Sequence, residues 1–106
     1  MPKYLVRASY NADGLKGLLK DKATGRRAAV VKAVEGIGGK VESFYYAFGE
    51  DDAILILDLP DNVTAAALAV SVSASGLVRA RTTPLLTIEE ADQAVGKSVT
   101  YCAPGR

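Results

Sequence analysis

Residues 53–59 read Ala-Ile-Leu-Ile-Leu-Asp-Leu, and Tyr-Ala-Phe-Gly-Glu-Asp-Asp stands immediately before them at 46–52. In extended chain, Ile54 and Ile56 point to one side and Leu55, Leu57 and Leu59 to the other. A strand apolar on both faces belongs in the interior of a sheet that is covered above and below. The glycine and three carboxylates in front of it read as a hairpin turn. Gly49 is expected to supply any left-handed backbone, and the Asp side chains to accept local backbone hydrogen bonds. Glu50, Asp51 and Asp52 also have the chemistry of a raised-pKa acid or of a hard-cation seat. Three consecutive residues in extended chain rarely converge on one centre, however, so the turn is favoured and no metal is expected. Asp52, at the mouth of the strand, is the turn residue expected to be needed structurally.

On the N-terminal side, Lys40 to Phe48 alternates, with Glu42, Phe44, Tyr46 and Phe48 opposite Val41, Ser43, Tyr45 and Ala47. Before it, Val30, Ala33, Val34 and Ile37 recur at helical spacing, with Arg26, Lys32 and Glu35 mostly off that stripe. This helix is expected to start near Thr24 and to stop at the Gly36–Gly39 cluster. A polar linker, 21–25, separates it from a short helical turn, Leu15 to Lys20, capped by Asp13. The chain opens with a half-buried strand, Lys3 to Tyr10. On the C-terminal side, Pro60-Asp61-Asn62 supplies a stop and an N-cap for a helix from Val63 to Ala74. A strand follows from Leu77 to Leu85. Thr87-Ile88-Glu89-Glu90 then forms a capping box for a last helix to about Val95. The order β-α-β-β-α-β plus a C-terminal helix predicts an α+β, ferredoxin-like antiparallel sheet with two helices on one face. The domain is expected to occupy 1–95, with a Gly-, Ser- and Pro-containing tail at 96–106.

Composition bounds the function. The 106 residues are 49% hydrophobic and 24% charged with net charge +1, the balance of one soluble domain with no pull toward nucleic acid or an anionic membrane. The start, Met1-Pro2-Lys3-Tyr4, carries no apolar leader, and the single Cys102 fits a reducing compartment, so a cytoplasmic location is expected. No histidine is present. That removes imidazole-ligated haem, most catalytic zinc sites and Ser-His or Cys-His nucleophile pairs. No Walker or Rossmann glycine pattern occurs, and no cofactor is expected. The helix at 63–74 is apolar on nearly all sides, more than one sheet face consumes. The central strand, too, is apolar on both faces. A homodimer packed sheet to sheet, or a higher oligomer built on it, is therefore expected.

The stretch Phe48-Gly49-Glu50-Asp51-Asp52-Ala53-Ile54-Leu55-Ile56 resembles the hallmark of the GYD-domain family. So do Gly14-Leu15-Lys16-Gly17-Leu18-Leu19-Lys20 and Arg79-Ala80-Arg81-Thr82-Thr83-Pro84-Leu85-Leu86. The resemblance implies a branch of the dimeric α+β barrels, in which two ferredoxin-like sheets face each other, and no particular reaction. The wider superfamily includes cofactor-free monooxygenases, lactone isomerases, haem enzymes and small-molecule sensors. Gly49, Glu50 and Asp52 match the family motif, but Asp51 stands where that motif has tyrosine, which removes any role for the tyrosine ring here.

Candidate binding residues follow from strand parity. Arg79 and Arg81 share one strand face, and the last strand should pair with the first, which carries Arg7. Together they would offer a cationic patch to a carboxylate or enolate in an inter-sheet cavity. They would otherwise pair with Glu42, Asp58 or rim carboxylates, or guard an edge strand. Of Tyr45 and Tyr46 only one can face that cavity, and Tyr45 is the candidate. Arg26-Arg27 reads as a solvated pair. Three functions fit: a binding protein for a small anionic or aromatic ligand, a cofactor-independent isomerase or monooxygenase, or an assembly protein. The lack of a histidine base disfavours the enzyme.

Overall fold

The computed structural model describes residues 1–106. Strands β1 (Lys3–Tyr10), β2 (Lys40–Tyr46), β3 (Ala53–Asp58) and β4 (Val78–Leu85) form one sheet, and helices α1 (Ala12–Gly36), α2 (Asn62–Ala74) and α3 (Ile88–Val95) complete the chain. The sheet order is β2-β3-β1-β4 with every neighbouring pair antiparallel. The fold is thus α+β, and the doubly apolar strand 53–58 lies between β2 and β1, as its composition predicts. No helix is long and apolar enough to cross a membrane.

One sheet face carries the core. Tyr4, Val6 and Ala8 of β1 and Ala53, Leu55, Leu57 and Leu59 at β3 are buried there against Val34 of α1 and Ala65 of α2. A fully buried leucine such as Leu57 contributes about 2–3 kcal/mol. The Tyr4 hydroxyl donates to Asn62 Oδ1 at 2.6 Å and ties the start of α2 to the sheet. The other face, which carries Lys3, Leu5, Arg7 and Ser9 of β1, has no helix over it; we refer to it as the open face.

Several local details differ from the sequence expectation. The cap of α1 is Asn11, whose side chain accepts from Gly14 N at 2.8 Å, and not Asp13. The expected linker at 21–25 shrinks to a single residue, Lys22, which breaks the helix with φ 65° and ψ 166°. At the other end the chain turns at Gly38 (φ +82°), and Gly39 lies against β3 so tightly that a Cβ would sit 2.6 Å from Leu59 Cδ2 and 2.7 Å from the Asp58 carbonyl oxygen. In β2 the register shifts between Val41 and Ser43. This bulge reverses strand parity. Val41 therefore joins the core side, and Glu42, expected beside Phe44, instead reaches Lys3. In α2 the half-buried side is Ala65, Leu68, Ala69 and Val72, whereas the stripe of Val63 and Val70 faces outward, 79% and 67% exposed. Helix α3 has the expected capping box at Thr87 and Glu90, but none of its residues is buried.

Candidate functional site

Four residues expected from the sequence do share the open face. The β1–β4 register sets Arg7 opposite Arg81 and Ser9 opposite Arg79. The β1–β3 and β2–β3 registers set Arg7 and Tyr45 on either side of Ile54. Tyr45, Ile54, Arg7 and Arg81 thus form one row across all four strands, with Tyr45 70% exposed at its end. Two cations directly opposed on adjacent strands repel. Asp51 relieves this by accepting from Arg81 Nη2 at 2.5 Å, with the Asp51 side chain only 12% exposed. Asp51 is thus the residue that neutralises Arg81. Glu42 and Asp58, the other expected carboxylate partners, both engage Lys3 Nζ at 2.8 Å. These two bonds raise the Lys3 pKa, the one to Asp58 most. Arg7 and Arg79 form none of the four salt bridges of the chain, and Arg7 Nε is buried without a partner.

The turn at 47–52 is held by backbone and by one side chain. Ala47 N donates to Asp52 O at 2.9 Å and Gly49 N to Asp51 O at 3.1 Å. Asp52 N donates to Ala8 O at 2.8 Å, and the Asp52 carboxylate accepts from Tyr10 N at 2.8 Å. Asp52 thus joins the turn to β1 through both its backbone and its side chain. The left-handed position is not Gly49 but Phe48, at φ 54°. That conformation is uncommon for an aromatic residue and costs on the order of 1 kcal/mol. Phe48 is held there partly by stacking on Tyr46, with ring centroids 5.5 Å apart.

A cavity lies on the opposite side of the sheet, between it and helices α1 and α2. Its volume is about 230 Å³, and 16 of its 18 lining residues are hydrophobic, so an occupant must be largely apolar. It exists because many lining side chains are short: Ala8, Ala53 and Ala80 rise from the strands, while Ala29, Ala33 and Ala69 descend from the helices. The two lining residues that are not hydrophobic are Thr82 and Arg26. Arg26 was expected in solvent beside Arg27. It sits four residues before Val30, on the α1 stripe that meets the sheet, and so turns inward while Arg27 stays exposed. Arg26 Nε is buried without a partner, and so is the Tyr46 hydroxyl. Burial, first, and the nearby Tyr10 phenol push the Tyr46 pKa up to about 12, although Tyr10 does not reach hydrogen-bonding geometry with it; the Arg26 charge works in the opposite direction. Arg26 and Tyr10, the charged and phenolic members of the lining, were not singled out as a site by the sequence. The available signal was the spacing of Arg26 from Val30 and Ala33, together with the alanine density of both helices.

A small α+β domain with one helix-covered sheet face, one open face and an alanine-walled cavity is the class of protein these features define. It belongs to a known group: the GYD domain matches residues 4–95, and the chain is a member of the GYD domain family. No curated protein and no solved structure matches it.

Proposed function

We propose that this protein binds a small, mostly apolar organic molecule in the cavity between the sheet and helices α1 and α2. The observation that carries this reading is the cavity itself. It is a partly open cleft, with Ala29 and Ala33 exposed along one wall, yet lined almost wholly by apolar side chains. A space of about 230 Å³ is larger than the roughly 150 Å³ hole that accepts benzene. Convergent polar groups in an otherwise apolar pocket are the usual composition of a small-molecule site. The test is thermal unfolding with and without small apolar ligands, using Ala69→Leu to fill the cavity from α2. A ligand at a hundredfold excess over its Kd stabilises by about 2.7 kcal/mol, on the order of ten degrees in Tm for a domain of this size. The wild type should show that rise and Ala69→Leu should lose most of it. Equal rises in both, or none with any ligand, would remove the cavity as the site.

The same proposal includes the ferredoxin-like assignment and a homodimer of the α+β barrel kind. The sheet order β2-β3-β1-β4 supports the first. Half-buried Leu5, Ile54 and Ile56 on the open face, with no helix over them, support the second. In that dimer Arg7, Tyr45, Arg79 and Arg81 face the inter-sheet space, where the unpaired Arg7 and Arg79 would take a carboxylate from the partner or from a second anionic ligand. Sedimentation that finds a stable 11.1 kDa monomer at micromolar concentration would refute the dimer.

A further inference from the structure

The cavity has a chemical polarity, and resting on its assignment as the ligand site, we infer that it takes a monocarboxylic acid with a short hydrocarbon body, the carboxylate held by Arg26 with the Tyr10 hydroxyl. Arg26 is the only charged residue in the lining and is absent from all four salt bridges. A guanidinium left at an apolar wall without an acceptor is unfavourable, and its Nε is already cut off from solvent with no partner. Tyr10 also lines the cavity, and it and Arg26 both lie close enough to Tyr46, just outside the lining, to act on its phenol.

The lining thus offers the guanidinium N–H groups of Arg26 and the O–H of Tyr10 around one positive charge, with no acidic residue. What satisfies such a set is a group of acceptors carrying one negative charge. A carboxylate meets the planar fork of a guanidinium with two parallel hydrogen bonds and leaves its remaining lone pairs for phenols. A phosphate monoester would bring a second negative charge that nothing in the lining neutralises, and burying it uncompensated is costly. A neutral alcohol or ester would leave the guanidinium without its counter-charge. The body of the acid lies among the alanines and Leu55, Leu57 and Leu68.

The probes are octanoate, octan-1-ol and octyl phosphate, titrated calorimetrically into the wild-type protein. Charge-assisted hydrogen bonds are worth about 1.5–3 kcal/mol, so octanoate should bind about ten- to a hundredfold more tightly than octanol; octyl phosphate should also be weaker than octanoate. Arg26→Gln should bring octanoate down to the octanol affinity and leave octanol unchanged, while Arg27→Gln alters neither. Tyr10→Phe should weaken octanoate several-fold without affecting octanol. Octanol binding as tightly as octanoate, or octanoate affinity surviving Arg26→Gln, would overturn the carboxylate assignment while leaving the cavity as an apolar site. If none of the probes binds, the assignment falls together with the reading of the cavity.

Discussion

Replacing Asp52 by alanine removes the acceptor that closes the far end of β1. The β1–β3 ladder ends at the pair Ala8–Ala53. Two residues further on, the Tyr10 amide has no β3 backbone to meet, and the Asp52 carboxylate takes its place at 2.8 Å. Asp52 N meanwhile donates to Ala8 O, so a single residue joins the hallmark turn to the neighbouring strand by both backbone and side chain. An orphaned, partly buried amide costs about 1–3 kcal/mol. Both residues are half-buried, so water recovers part of that loss and the lower half of the range applies. With a urea slope of about 1–3 kcal/mol/M for a small domain, Asp52→Ala should lower the unfolding midpoint by roughly 0.5–1 M with an unchanged slope. Asp52→Asn keeps an acceptor oxygen at the same reach and should lose less than half as much. Because Tyr10 lines the cavity proposed to take the ligand, Asp52→Ala should also weaken octanoate binding. An Asp52→Ala midpoint equal to wild type would refute the role assigned to this carboxylate.

The glycines separate motif from mechanics. Gly39→Ala drives a Cβ into Leu59 and the Asp58 carbonyl and should cost about 1–3 kcal/mol in urea unfolding. Gly49→Ala meets nothing within 4 Å and has no left-handed backbone to strain, so it should stay within about 0.5 kcal/mol of wild type. Asp51→Asn breaks the ion pair with a half-exposed Arg81, and its effect on stability should be no more than about 1 kcal/mol and smaller at high salt. Tyr46 makes stability depend on alkaline pH. Its folded pKa is raised from 10.0 to about 12, so the unfolded chain releases this proton first. The contribution of the protonated phenol is then complete below pH 10 and disappears as the pH climbs from 10.0 toward 12. Ultraviolet difference titration should show one phenol still protonated until about pH 12, and Tyr46→Phe should abolish that late step.

Where local chemistry and tertiary packing agree, the sequence is legible. Thr87 and Glu90 carry their capping box whatever α3 touches, because both hydrogen bonds lie within one helical turn. Asp61 likewise caps α2 by accepting from Thr64 N, and those bonds lower its pKa. Legibility ends where two local solutions are equivalent. Helix α2 is apolar around most of its circumference, so periodicity offers two stripes. Contact with the sheet selected Ala65, Leu68, Ala69 and Val72, leaving Val63 and Val70 outside. The turn is similar: Gly49 is free to take a left-handed backbone, yet Phe48 takes it.

The sequence by itself determined the order of elements, the interior place of the strand at 53–58, the placement of Arg7, Arg79 and Arg81 on one sheet face, and membership of the family. All of these rest on period-two and period-3.6 patterns, caps and turn residues, which act over a few positions. Only the tertiary structure decided that a bulge at Val41–Ser43 would turn Glu42 toward Lys3, that Asp51 would answer Arg81, and that Arg26 would point inward. Each depends on the distance between elements remote in the chain. The cavity is the clearest case, since six alanines read singly as helix formers or small strand residues become a ligand-sized space only when α1, α2 and the sheet are brought together around them.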